Sequence, residues 1–230
     1  ENIDRQPIII LGGFLINQDS YKEMANWLED KTNNPVVIIK VSKYEWLLTN
    51  WAFGWRNILD RLDESAKYLQ KISHTGKITL IGHSSGGIMM RLYLSTDSFS
   101  GRQYNGLEIS NRLITLGSPH QAKRATKLRA MVDNLYPGCF YSDQVQYISI
   151  AGVLELDSDI ATNLSKNSAK RSYKSISGEF ESKGDGLVPV SSSLLKDSLN
   201  IVINNTSHSP LFGRRWYCSE DVVKEWWEGL

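Results

Sequence analysis

The sequence predicts an α/β fold in which helices flank a mostly parallel central sheet. Three observations lead there. Runs such as Ile8-Ile9-Ile10-Leu11 and Ile78-Thr79-Leu80-Ile81 are continuously apolar rather than alternating, as strands buried on both faces are. Segments with apolar residues at helical spacing separate these runs, so strand and helix alternate through the first half of the chain. The 230 residues, 41% hydrophobic and 22% charged, suffice for a substantial core. With no internal repeat, low-complexity tract or linker, 1–230 reads as one domain.

Each element follows in order. Ile8–Leu11 is the first strand, closed by a turn at Gly12-Gly13-Phe14. Asp19 or Ser20 is the expected cap of a helix carrying Tyr21, Met24, Ala25, Trp27 and Leu28. Val36–Val41 is a second strand, and the stretch from Lys43 to Gly54 is aromatic and irregular, with Tyr44, Trp46, Trp51 and Phe53. Ile58, Leu62, Ala66 and Leu69 place a helix over Trp55–Ile72. Ile78–Ile81 is the third strand and Ile88–Leu94 opens the next helix. Arg112–Leu116, Val145–Ala151 and Leu199–Ile203 complete the sheet. Two excursions, at about 121–144 and 152–183, interrupt the alternation, and Tyr173–Ser177 in the second reads as a short hairpin strand. Insertions of this kind sit over the carboxyl edge of a parallel sheet, where ligands bind.

Composition narrows the function classes. A formal charge of +1 gives no reason to expect a nucleic-acid partner. No Cys/His group has metal-ligand spacing, and neither a metal nor a cofactor is expected. No apolar run reaches the roughly 18 residues that a membrane span needs. The expected setting is soluble, in the cytoplasm or peripheral to a membrane. The opening Glu1-Asn2-Ile3-Asp4-Arg5 is equally compatible with a trimmed targeting segment. For Cys139 and Cys218, one disulfide and two free thiols fit alike.

The chemistry centres on Gly82-His83-Ser84-Ser85-Gly86, which links the third strand to the next helix. A Gly-X-Ser-X-Gly sequence in that setting is a nucleophile elbow, a tight turn that lifts a serine hydroxyl clear of the sheet. Glycines flank Ser84 because side chains there would strike the neighbouring strand and helix. A serine needs a base to accept its proton and an acid to orient that base. With the order serine, acid, histidine, His208 follows the last strand where the base belongs. His74 lies in a polar loop, His83 points away from the nucleophile's face, and His120 ends the fourth strand, placed to line the pocket. Asp157, Asp159, Asp185 and Asp197 all fall between the last two strands. Asp185 stands out, because Gly184 and Gly186 allow a tight turn and Leu187-Val188 anchor it. Oxyanion donors are expected from the backbone amides of Ser85 and Phe14.

These residues carry a resemblance. Gly12-Gly13-Phe14, Leu80 to Gly87, Leu116-Gly117-Ser118-Pro119-His120, Val132 to Gly138, Gly184 to Pro189 and Arg215-Trp216-Tyr217 together resemble the lipase/esterase branch of the α/β hydrolases. They are more closely similar to soluble plant and cyanobacterial hydrolases related to the inositol deacylases of GPI anchors. The resemblance implies an α/β-hydrolase fold with lid or cap insertions, and a triad of Ser84, Asp185 and His208. It departs at two points. Gly12-Gly13 stands where many lipases have His-Gly, and Cys218 stands where such relatives carry glycine.

The expected reaction is hydrolysis of a carboxylic ester, first of acyl lipids. A soluble small ester or a thioester is the alternative, and a non-catalytic binding protein of the same fold is the rival of another class. Trp46, Trp51 and Phe53 either receive an acyl chain or pack between helix and sheet. In the first excursion Lys123, Arg124, Lys127 and Arg129 interleave with Ala125, Leu128, Met131, Val132 and Leu135. The amphipathic helix this predicts is either a lid resting on an anionic membrane surface or a helix with an ordinary solvated face.

Overall fold

A computed structural model describes residues 6–122, 124–178 and 183–230. In chain order its elements begin with β1 (Ile8–Leu11), α1 (Lys22–Thr32), β2 (Val36–Ile38), α2 (Lys43–Leu47), α3 (Ala52–Ile72), β3 (Ile78–His83) and α4 (Ser85–Leu94). There follow β4 (Ser98–Phe99), β5 (Arg102–Gln103), α5 (Gly106–Ile109), β6 (Ser110–Leu116) and α6 (Lys127–Leu135). The chain continues with β7 (Gln146–Val153), α7 (Asn163–Ser177), α8 (Val190–Ser193), β8 (Leu199–Asn204) and α9 (Glu220–Glu228). Six strands form one sheet in the order β2-β1-β3-β6-β7-β8, every neighbouring pair parallel. The mostly parallel sheet with flanking helices is therefore the fold that the apolar runs predict.

The continuous runs are explained by two cores, one on each face of the sheet. Ile9 and Leu11 of β1 point into a layer with Ile58, Leu59 and Leu62 of α3 and with Met89 and Met90 of α4. Ile8 and Ile10 point the other way, to Met24 and Leu28 of α1 and Val222, Val223 and Trp226 of α9. With helices on both sides no strand residue can be polar cheaply, so the period-2 alternation disappears. Cys139 belongs to the first layer and Cys218 to the second; both are buried free thiols. Nothing in the structure explains Cys218 beyond packing. The order reverses direction between β1 and β3, and the loops leaving the carboxyl ends of those strands open the crevice where parallel sheets take their ligands.

Several expectations change. The side chain of Asn17, not Asp19 or Ser20, caps the short 3-10 turn at Gln18–Tyr21 that precedes α1. β2 stops at Ile38, although the Ile39 amide still reaches the Ile10 carbonyl at 2.8 Å. The aromatic stretch is not irregular. Ser42 and Glu45 form a capping box that starts α2, with the Glu45 carboxylate on the Ser42 amide and the Ser42 hydroxyl on the Glu45 amide. α3 begins at Ala52, three residues before Trp55. Tyr173–Ser177 is the last part of α7, not a hairpin strand. Thr162 caps that helix and Gly178 ends it in the left-handed conformation. A real hairpin, β4–β5, turns at Ser100 and Gly101 with both residues at positive φ. Among the described residues no helix is long and apolar enough to cross a membrane.

Candidate active site

Ser84 sits between β3 and α4 with φ 53° and ψ −120°, a region that L-residues other than glycine occupy only under strain of about 1–3 kcal/mol. The surroundings hold it there. Its amide donates to the Leu116 carbonyl at 2.9 Å. A Cβ on Gly82 would lie 2.4 Å from the Gly87 Cα, and one on Gly86 would lie 2.3 Å from the Leu11 carbonyl oxygen. The first contact lets α4 start directly against β3, and the second lets α4 pass over β1. The two glycines that flank the serine are thus required by close backbone approach.

Asp185 and His208 reach the same place from separate loops. His208 Nδ1 and Asp185 Oδ2 are 2.8 Å apart, and the His208 amide donates to the Asp185 carbonyl at 2.8 Å. Asp185 is completely buried, yet each carboxylate oxygen is satisfied. Oδ1 accepts from the amides of Leu187 (3.0 Å) and Val188 (2.8 Å), while Oδ2 also accepts from the Tyr217 hydroxyl at 2.8 Å. Four donors around one carboxylate fix its orientation. Tyr217 in turn accepts the Gly152 amide at 2.7 Å, tying the acid to the end of β7. The desolvated phenol beside Asp185 is pushed well above the usual tyrosine range. From the second excursion Tyr173 accepts the Gly186 amide at 2.7 Å and supports the same loop.

His83, next to the serine, faces away from the cleft and completes a hydrogen-bond chain beneath it. The Gly13 amide donates to the Tyr21 hydroxyl (2.8 Å), which meets His83 Nδ1 (2.8 Å), while His83 Nε2 meets the His208 carbonyl (3.0 Å). An amide can only donate and a carbonyl can only accept, so the direction of every proton follows: Tyr21 donates to Nδ1, and His83 carries its proton on Nε2. Trp216 packs edge-on against both Tyr21 and His83. Burial, with His208 close by, holds His83 well below the usual imidazole range, which keeps this tautomer neutral.

His208 lies against His83, the sequence neighbour of Ser84, with the two imidazole centroids 4.8 Å apart. Among the described residues no hydrogen bond joins Ser84 Oγ to His208; such bonds are often long without substrate and tighten in the bound complex. The Ser85 amide opens the first turn of α4, where no helical carbonyl is available to it. Phe14 follows β1 at the Gly12-Gly13 turn, and a Cβ on Gly13 would come within 2.9 Å of Ser84 Cβ. Phe14 and Ser85 line a cavity of about 210 Å³ together with Thr49, Asn50, Trp55, Met89, Thr126 and Arg129. Ser84 and His208 are not on its wall; larger depressions of about 450 and 510 Å³ lie elsewhere and touch neither of these nor Ser85.

The residues expected to contact substrate separate. Trp51 is exposed and stacks on Phe53 (6.1 Å, 18°), next in sequence to Asn50 on the cavity wall. Trp46 is buried in the core beneath Phe14, their rings 6.1 Å apart edge-on, so it supports the turn and does not face this cavity. His120 is buried as well. Its Nε2 bonds Thr115 Oγ1 at 3.0 Å and its Nδ1 faces Arg91 at 3.4 Å, so it buttresses β6 and does not line the pocket. Burial and the Arg91 charge hold it well below the ordinary histidine range.

The first excursion does form a helix, α6, but its basic residues divide. Arg124 and Lys127 are exposed, Lys123 lies outside the described residues, and Arg129 turns inward to donate to Ser85 Oγ at 3.0 Å. Arg129, Tyr21 and Tyr217, bonded to Ser85, His83 and Asp185, are candidate site residues that the sequence reading missed. The Arg215-Trp216-Tyr217 stretch was a signal for the last of these.

Comparison with known proteins agrees with this architecture. A model of the palmitoyl protein thioesterase family matches residues 7–168, more than half of the chain. No curated protein sequence matches it. Among solved structures, phospholipase PlaB from Legionella pneumophila aligns with a TM-score of 0.60 at 15% identity, covering 89% of this chain and 52% of PlaB. The chain thus spans about half the length of that protein. An α/β-superfamily hydrolase from Xanthomonas campestris aligns at 0.52 and 12% identity over 98% of this chain and 100% of its own. An α/β-hydrolase enzyme from the metagenome of Mar Chica lagoon sediments aligns at 0.52 and 14% over 98% and 91%. At these identities the likeness is one of fold.

Proposed function

We propose, from the premise that the chain belongs to the palmitoyl protein thioesterase family of α/β hydrolases, that it is a serine hydrolase cleaving carboxylic esters of acyl lipids through Ser84, His208 and Asp185. The observation that carries the reading is the strained backbone of Ser84 at the strand-to-helix junction, because strain of this kind persists where function requires it. The Asp185–His208 pair, held by four donors on the acid, supports it.

In this mechanism Asp185 accepts a hydrogen bond from His208 Nδ1–H, which leaves Nε2 free to take the proton from Ser84 Oγ. The oxygen attacks the acyl carbon, and the carbonyl oxygen becomes an oxyanion facing the Ser85 and Phe14 amides. His208 returns the proton to the leaving alcohol as the carbon–oxygen bond breaks. Water, deprotonated by the same imidazole, then releases the acid and regenerates Ser84. The family description favours a second reading, a thioester substrate, for which the same steps expel a thiol.

A fluorophosphonate probe should label the native chain and leave Ser84→Ala unlabelled. Asp185→Asn should fold and lose turnover by about 10⁴-fold, because the histidine then takes the wrong tautomer. Labelling that survives Ser84→Ala would refute the assignment of the nucleophile. Paired oxygen and sulfur esters of one acyl group decide between ester and thioester.

A further inference from the structure

Arg129 is the only charged side chain on the wall of the cavity beside Ser85 among the described residues. Its guanidinium gives one hydrogen bond, from Nη2 to the neutral hydroxyl of Ser85 at 3.0 Å. No carboxylate pairs with it among the described residues. The acid one turn further along α6, Asp133, is engaged by the buried Arg91 at 3.5 Å. The charges that flank Arg129 in sequence, on Arg124 and Lys127, are positive too. Partial removal from water lowers its affinity for a proton, and no neighbouring charge counters this.

A guanidinium drawn from water without an opposite charge is unfavourable unless something else supplies the anion. The remaining wall of the cavity, Phe14, Thr49, Asn50, Trp55, Met89 and Thr126, holds none. With one Nη2 hydrogen on Ser85, the second Nη2 hydrogen and the N–H beside it still form one forked edge, an arrangement matched to a carboxylate or phosphate. Ser85 also sets the position of that anion. Its amide is the proposed oxyanion donor and its hydroxyl holds Arg129, so the two recognition points are separated by the atoms of one residue.

We infer that Arg129 recognises a carboxylate or phosphate on the substrate close to its scissile carbonyl, so that the preferred esters are anionic. This rests on the serine-hydrolase reading, and deepens it. The cavity of about 210 Å³ suits a short acyl arm or a small alcohol carrying the charge. The anion sits on one side of the ester or the other, and two substrate pairs separate these cases.

In the first pair, p-nitrophenyl butyrate is compared with the p-nitrophenyl half-ester of glutarate, charged on the acyl side. In the second, phenyl butyrate is compared with the butyrate ester of 4-hydroxybenzoate, charged on the leaving side. The ratio of kcat/KM, anionic over neutral, is measured for native protein, Arg129→Met and Arg129→Gln. The native ratio should exceed one in one pair by on the order of 10- to 100-fold, and both variants should bring it to about one. Absence of preference in both pairs, or a preference that Arg129→Gln retains with its hydrogen-bonding but uncharged group, overturns the inference.

Binding separates this result from failure of the hydrolase reading. Ser84→Ala protein is titrated with monoethyl glutarate and with ethyl butyrate, with and without Arg129→Met. Tighter binding of the half-ester that depends on Arg129 upholds the anion site even if no ester is turned over. Equal binding of the two overturns it.

Discussion

The phenol oxygen of Tyr21 takes the Gly13 amide on one side and gives its proton to His83 on the other, and His83 passes the chain to the backbone of His208. The turn that offers the Phe14 amide and the loop that carries the proposed base are therefore held from one oxygen. Tyr21→Phe keeps the ring packing on Trp216 and removes only this link. Two buried polar groups then lose a partner, so urea denaturation should show a loss of about 2 kcal/mol or more. Turnover of an activated ester should fall in kcat more than it worsens in KM. Unchanged kcat at reduced stability would mean that another contact fixes the turn. Sequence spacing nominates Ser84, Asp185 and His208 as candidates, because order along the chain and turn chemistry can be read without the fold. Tyr21 was legible only as an apolar position on a helix face, since a bridging hydroxyl takes its meaning from residues 8 and 62 positions away.

α4 can begin where it does only because the carbonyls of Leu11 and Gly12 come against Gly86. Gly86→Ala places a methyl 2.3 and 2.7 Å from two backbone oxygens, which no rotamer can relieve. The expected loss is about 2–3 kcal/mol or more, together with the elbow's geometry. Gly76→Ala makes the comparison: its Cβ meets nothing within 4 Å and the residue has φ 68°, so only about 1 kcal/mol of backbone strain is expected. Thermal melts of the two variants should separate clearly, and equal shifts would show that α4 slides to accommodate the methyl. The buried strands were legible because their apolar runs are continuous. α7 was not, because the face it buries is formed by Ser165, Ala169 and Tyr173, which hardly register as a hydrophobic stripe. α2 and the β4–β5 hairpin did carry local signals, Ser42 to Glu45 and Ser100-Gly101, which the aromatic and polar surroundings obscured.

Across the whole molecule, strand existence followed from sequence but strand order did not, since pairing β1 with both β2 and β3 depends on how the crossovers pack. The resulting core buries two uncharged imidazoles, His83 facing Tyr21 and His208, and His120 facing Arg91. Both bind a proton less readily folded than unfolded, where the ordinary value is 6.5. Above that pH both states leave them neutral and stability is complete. As the pH falls below it, the unfolded chain takes up protons that the folded chain refuses, and stability drops by up to about 1.4 kcal/mol per pH unit for each histidine. Urea denaturation between pH 7.5 and 5.5 should show this slope, and His120→Gln should remove about one proton's share. A flat profile would mean that the imidazoles charge in place.

The two thiols lie on opposite sides of the sheet, Cys139 among the α3 and α4 residues and Cys218 among those of α1 and α9. Burial raises both, Cys139 to about 11, so neither supplies much reactive thiolate at neutral pH while the layers are closed. Each is thus a chemical clock for its own layer, and the ratio of their alkylation rates distinguishes peeling of one helical layer from collapse of the whole sheet.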